Sequence, residues 1–75
     1  MYFVFRFFLK NSGEEGHSEQ RFDSEIAARK RFYNILAADI DSTEIAYELV
    51  QIVREDGIVI ASQVFDNRVG GLTYG

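Results

Sequence analysis

The first ten residues, MYFVFRFFLK, alternate in a way that only a β-strand uses. Successive side chains of a strand point to opposite faces of its sheet. The odd-numbered positions form one wholly apolar face, made of Phe3, Phe5, Phe7 and Leu9. The even-numbered positions form a mixed face, made of Tyr2, Val4, Arg6, Phe8 and Lys10. We therefore expect the odd face of this strand to lie in the core.

The chain has 75 residues and no cysteine, which limits how it can be stabilised. A domain of this size buries only about 60% of the surface that its unfolded chain exposes. Small domains commonly need disulfides, a metal or a partner subunit, and the lack of cysteine removes disulfides and thiolate metal sites. We expect one domain over residues 1–66, a flexible tail over residues 67–75, and association with another chain as the remaining stabilising device.

A helix is predicted after the polar stretch NSGEEGHSEQRF, residues 11–22, which we expect to be a loop. Asp23 or Ser24 offers an oxygen to cap the helix, and Glu25 suits its first turn. Helical periodicity gathers one apolar face that should meet the sheet, made of Ile26, Tyr33, Leu36, Ala37 and Ile40. A second apolar stripe, made of Ala28, Phe32 and Ile35, lies well round from the first and would be superfluous in a lone monomer.

Two β-rich runs on either side of Asp56-Gly57 predict a hairpin. This turn would place Val53 opposite Ile60, Gln51 opposite Ser62 and Leu49 opposite Val64. The more apolar face, with Ile45, Tyr47 and Ile58, should lie under the helix. The stretch DSTEIAYELVQIVREDG also reads as a capped helix, so residues 43–53 have two interpretations, of which we prefer the strand.

The order strand, helix, strand, strand predicts an α+β fold, β-α-β-β, with a three-stranded antiparallel sheet and one helix packed on one face. The side of the sheet left uncovered would carry Tyr2, Val4, Phe8, Val50, Ile52, Val59 and Phe65. Such a patch is larger than a monomer usually exposes. We expect it to form a homodimer or to dock on another protein, with the stripe of Ala28, Phe32 and Ile35 as a second possible contact.

Single-stranded nucleic acid is the alternative partner for the same face. Aromatic side chains flanked by basic groups can stack bases, and the candidates are Tyr2, Arg6, Phe8 and Lys10. FVFRFF is similar to the aromatic strand of RNA-recognition sheets, but the glycines of that motif are missing. The net charge of −4 arises entirely within residues 41–75, and an acidic balance disfavours phosphate binding. Those acidic groups could present a negative surface to a basic protein partner, but solubility is the interpretation that we prefer.

The sequence contains no recognisable motif for catalysis or for cofactor binding. His17 lies near several carboxylates, but a polar segment between glycines lacks the rigid scaffold of a zinc site. No nucleophile motif or phosphate-binding loop is present. We expect no metal, no cofactor, no small-molecule substrate and no enzymatic activity. No membrane-spanning or targeting segment is recognisable, which predicts a cytoplasmic protein.

The stretches RFYNILAADI and AYELVQIVREDGIVI resemble short uncharacterised proteins of phages and mobile elements of gut Firmicutes. The resemblance covers the middle two thirds of the chain. It implies a small accessory protein without an assigned activity, and no functional residues can be carried over from it.

Overall fold

The computed structural model describes residues 1–66, which form one helix and four strands. In chain order the elements are β1 (Tyr2–Lys10), β2 (Glu15–Phe22), α1 (Glu25–Asp39), β3 (Ile45–Arg54) and β4 (Val59–Asp66). The sheet is antiparallel, with strand order β2-β1-β3-β4. The α+β class is confirmed, but the sheet has four strands rather than three. The predicted tail over residues 67–75 lies outside the described residues.

The additional strand is β2, which occupies the segment predicted as a loop. It follows a tight turn in which the Gly13 N–H donates to the Lys10 carbonyl and Gly13 has a φ of 92°. β2 lies at the sheet edge and pairs along its length with β1. Its side chains are mostly exposed, so backbone pairing holds it in place without any hydrophobic alternation in the sequence.

The hairpin of β3 and β4 confirms the strand interpretation of residues 43–53 over the helical one. Gln51 pairs with Ser62 and Leu49 pairs with Val64, as predicted. A bulge next to Ile52 makes Val53 pair with Val59 instead of Ile60. Gly57 supplies the positive φ, 89°, that the connecting turn requires.

The helix begins where the sequence predicted. The Ala27 N–H donates to Ser24 Oγ at 3.0 Å, which identifies Ser24 as the N-cap. Glu25 in the first turn forms an ion pair with Arg29, and an acidic side chain suits the positive end of the helix dipole.

The face of the sheet that the helix covers is the opposite of the one predicted. The core consists of even-numbered strand residues and the second helix stripe: Val4, Val50, Ile52, Ala28, Phe32 and Ile35. The helix residues predicted to meet the sheet include Ile26, Tyr33 and Ile40, which are 71%, 57% and 63% exposed. Of that predicted set, Leu36 packs against the core.

Chain connectivity explains the inversion. β2 and β3 are both antiparallel to β1 and therefore parallel to each other, so α1 forms a crossover between parallel strands with β1 lying between them. Such crossovers are right-handed in nearly all proteins, which leaves the helix only one of the two faces. If β2 is taken for a loop, the crossover rule cannot be applied to this chain. The apolar side chains of β1 then favour the face that the helix does not cover.

Because the helix packs through the stripe that contains Ile35, isoleucine-to-alanine substitutions at two positions of α1 should differ in their effect on the free energy of unfolding. We expect Ile35→Ala to lower the free energy of unfolding by about 2–5 kcal/mol, because it leaves a cavity under the helix. Ile26→Ala should change it by less than about 0.5 kcal/mol, because that side chain is exposed. Urea unfolding followed by circular dichroism measures both, and a larger loss at Ile26 would contradict the packing described.

Candidate interaction surface

Most residues predicted to form the uncovered side of the sheet lie beneath the helix. Val4, Val50 and Ile52 are buried, and the stripe of Ala28, Phe32 and Ile35 packs on them. Tyr2 packs against the same core. Phe8 on β1 and Phe65 on β4 both pair with Glu48 on β3, and all three side chains therefore lie on the covered face. Val59, which pairs with Val53, lies on the uncovered side.

The surface that the helix leaves uncovered carries the odd-numbered residues of β1, β2 and β3 and is here called the open sheet face. Cross-strand pairs divide it into four rows, Arg21-Phe3-Val53-Val59, Glu19-Phe5-Gln51-Ser62, His17-Phe7-Leu49-Val64 and Glu15-Leu9-Tyr47-Asp66, of which Asp66 is buried. The two central strands, β1 and β3, therefore present mainly aromatic and aliphatic side chains. β2 contributes the charged side chains along one edge.

Two pairs of aromatic rings, Phe3 with Phe5 and Phe7 with Tyr47, form an aromatic ridge along the middle of the open sheet face. Phe3 and Phe5 stack with their centroids 6.2 Å apart, and Phe7 meets Tyr47 edge-on at the same separation. Phe5 and Phe7 remain 37% and 38% exposed. Rings ordered by their neighbours lose little entropy on binding a partner, so this ridge is suited to forming the centre of a contact.

The prediction that these rings lie in the core is wrong because it treated residues 11–22, which include β2, as a loop. The signal that would have revealed β2 is the turn Asn11-Ser12-Gly13, which lies between two runs of similar length. A hairpin at that position gives β1 a neighbour on each side, and the crossover rule then applies.

The basic groups of the nucleic-acid alternative have internal partners. An Arg6 amino nitrogen lies 3.0 Å from Asp39 Oδ2 and 3.2 Å from Glu48 Oε2, and the guanidinium stands 4.4 Å from the centre of the Phe8 ring. Lys10 forms an ion pair with Glu14. Tyr2, Arg6, Phe8 and Lys10 thus lie on the covered side, where they do not form an open platform.

Gly16 provides the room that the Phe8 ring needs. A Cβ on Gly16 would lie 2.3 Å from Phe8 Cζ, closer than atoms can approach. The ring therefore crosses the backbone of β2, and it carries the Arg6 guanidinium above it. This close approach is the structural reason for a glycine within an edge strand.

Glu48 is the most unusual charged residue of the described chain, because its side chain is fully buried. Arg6 Nε donates to Glu48 Oε2 at 3.2 Å, whereas Glu48 Oε1 has no hydrogen-bond partner among the described residues. Burial and the neighbouring Asp39 raise the pKa of Glu48 from 4.5 to about 7, and Arg6 only partly opposes this. A protonated Glu48 can donate to Asp39, so the proton itself satisfies the buried group.

The Glu48 cluster joins three elements and gives no access to a substrate. It links β1, β3 and the last turn of α1, where a carboxylate such as Asp39 opposes the helix dipole unless a cation compensates. The adjacent cleft, lined in part by Arg31 and Asn34, has a volume of about 140 Å³, below the roughly 300 Å³ of ordinary ligand sites. We interpret the cluster as a structural link.

Two further properties concern metals and membranes. Within residues 1–66, no group of three histidine, cysteine or acidic residues could hold a metal ion; His17 is an exposed residue of β2. The single helix of this region, α1, is too short and too polar to cross a bilayer.

Comparison with known proteins adds no relatives to this description. No family model matched the chain, and no curated protein or solved structure matched it. The resemblance to phage and mobile-element proteins therefore stays a prediction, and the function has to be argued from the surface itself.

The buried carboxyl makes stability depend on pH in a defined direction. Because the pKa of Glu48 is higher in the folded protein, the folded state holds a proton that the unfolded chain releases. Its contribution to stability should therefore fall as pH rises, by roughly 2–3 kcal/mol between about pH 5 and about pH 8.

Glu48→Gln should remove this pH dependence, because the amide does not ionise. Urea unfolding at several pH values measures the effect as the difference between wild type and variant. Glu44→Gln, at an exposed acid, should keep the wild-type slope. Equal slopes for wild type and Glu48→Gln would show that Glu48 does not hold the extra proton.

Proposed function

We propose that the protein is a non-catalytic interaction module that works as a homodimer, with the open sheet faces of two copies packed on each other. The proposal keeps the cytoplasmic location expected from the sequence. The observation that carries it is the aromatic ridge of Phe3, Phe5, Phe7 and Tyr47, of which Phe5 and Phe7 are exposed, on the face of the sheet that the helix does not cover.

A second layer over the open sheet face is expected from general packing rules. Domains bury an apolar sheet face against another layer, and in the described chain the helix serves only one face. Apolar patches of this kind, bordered by polar residues, are typical of protein interfaces. The charged side chains of β2 form such a border beside the ridge.

A second copy is favoured because the open sheet face can pack on itself. Its aromatic rings and most of its aliphatic side chains lie on the two central strands, whereas the outer strand β2 is polar and the outer strand β4 adds Val59, Ser62 and Val64. A two-fold axis in the plane of the interface, either along or across the strands, therefore lays apolar centre on apolar centre. No other molecule needs to be invoked to complete the layer.

Size gives a second reason for a homodimer. A chain of 75 residues has little core of its own, and association is one of the devices that stabilise small domains. Four strands spaced about 4.8 Å apart, each 8 to 10 residues long, form a face of roughly 19 by 30 Å. That footprint suits an interface at the lower end of the specific range.

Nucleic acid is the weaker candidate for the same surface. Exposed Phe5 and Phe7 could stack bases, but among residues 1–66 the nearest charges on that face are Glu15 and Glu19, with only Arg21 to attract phosphate. Arg6 and Lys10 are engaged on the other side. The electrostatic balance thus supports a protein partner.

The test is a charged substitution at the centre of the ridge. We expect wild type to sediment at twice the 8.6 kDa chain mass, and Phe5→Glu to raise the dimer dissociation constant at least about a hundredfold, because two carboxylates would be buried. Ile26→Glu is the matched control, since it places the same charge on the exposed side of α1. Circular dichroism establishes that both variants are folded.

Sedimentation from about 1 μM to about 1 mM covers the affinities expected of such interfaces. A folded Phe5→Glu variant that dimerises like wild type would contradict the proposed face. A wild type that stays monomeric over this range would contradict the homodimer, and salt-sensitive binding of single-stranded oligonucleotides would then favour the alternative.

A further inference from the structure

The order of the polar side chains along β2 bears on how two copies of the chain would pack. On the open sheet face they run Glu15, His17, Glu19 and Arg21 along the strand. All four are exposed, and none of them forms an ion pair or hydrogen bond with another residue of the 1–66 region. Acidic groups begin the series and a basic group ends it.

Two arrangements are open to a symmetric dimer packed through this face. A two-fold axis along the strands lays β2 over β4 of the partner copy, whose open-face residues are the uncharged Val59, Ser62 and Val64 and the buried Asp66, which stands in the row of Glu15. An axis across the strands lays β2 over β2 of the partner copy in the reverse direction. The two arrangements bury the same central strands, so charge decides between them.

In the second arrangement, each charge of β2 meets a complementary group. Reversal of the series Glu15, His17, Glu19, Arg21 brings Arg21 to Glu15 of the partner copy and Glu19 to His17 of the partner copy. Two-fold symmetry repeats both pairs. The order of these side chains is therefore self-complementary, whereas the first arrangement places no group of opposite charge over Glu15, Glu19 or Arg21.

We propose that the two-fold axis runs across the strands, and that paired β2 strands set the orientation of the dimer through reciprocal contacts between Arg21 and Glu15. This inference rests on the proposed homodimer. It identifies the partner as a second copy in a defined antiparallel register, and it gives the charges of an otherwise polar edge strand a specific role.

The geometry of packed sheets accommodates these contacts. Facing sheets lie about 10 Å apart and cross at about 30°. The two β2 strands would then cross near their midpoints, between His17 and Glu19, and separate towards their ends. Long side chains are needed there, and Arg21 and Glu15 occupy those ends.

Such rim contacts select an orientation more than they add affinity. Exposed ion pairs contribute little to stability, but like charges placed opposite each other disfavour the wrong register. The aromatic ridge would hold the copies together, and the β2 charges would decide which way round they bind.

Charge reversal tests the register directly. Arg21→Glu places acids at both ends of the series and Glu15→Arg places bases there, so each variant should repel its own copy. We expect each to weaken self-association about tenfold at about 0.05 M salt, and the effect should shrink at about 1 M salt, where such charges are screened. Lys30→Glu and Glu44→Arg change the net charge equally at exposed sites elsewhere, and should dimerise like wild type.

Complementation is the decisive measurement. An equimolar mixture of the Arg21→Glu and Glu15→Arg variants should form a heterodimer with wild-type affinity, detected by sedimentation and by native mass spectrometry. The double variant, with both reversals in one chain, should recover the homodimer. No register other than the reversed one explains recovery in both experiments through the open sheet face.

The possible failures are distinguishable. If wild type is a dimer that Phe5→Glu dissociates, but the reversed variants bind like wild type or fail to complement, the register is wrong and the proposed function stands. If complementation succeeds while Phe5→Glu dimerises normally, the copies pair through the β2 edges, which overturns the face-to-face register. A monomeric wild type overturns both proposals.

Discussion

The structure depends on a mismatch between one helix and two apolar faces. β1 and β3 carry apolar side chains on both sides of the sheet, and α1 can cover only one side. It covers the side with the branched residues Val4, Val50 and Ile52, on which Ala28 and its neighbours pack closely. The rings of Phe3, Phe5, Phe7 and Tyr47 remain on the other side. The side of the sheet that α1 covers therefore decides both which residues form the core and which form the proposed interface.

The buried ionic cluster reinforces that choice. Arg6, Asp39 and Glu48 come from β1, α1 and β3, and they connect the C-terminal end of the helix to the central strands. Buried charged groups usually add little net stability because they lose hydration. Here the raised pKa of Glu48 lowers that cost, since a protonated carboxyl needs less solvation than an ionised one. The cluster ties the C-terminal end of the helix to the two central strands.

The edge strand β2 connects folding with the proposed recognition. Charged residues on an edge strand discourage unselective pairing with other chains, and β2 has charges throughout its open side. The same charges are compatible with one specific partner arrangement, because their order is self-complementary. The strand β2 would thus oppose aggregation and also select a defined dimer orientation. Both roles use the same charged side chains.

Local signals in the sequence determined four of the five elements within residues 1–66. The alternation of β1, the cap at Ser24 and the Asp56-Gly57 turn each act through neighbouring residues, so their structures were predictable. The sequence did not reveal β2, whose pairing with β1 is a backbone interaction that leaves no hydrophobic period. Nor did it reveal the covered face, and with it the placement of Phe5 and Phe7. Only the tertiary structure decided that face, because the handedness of the crossover depends on which strands are neighbours rather than on the pattern of any one strand.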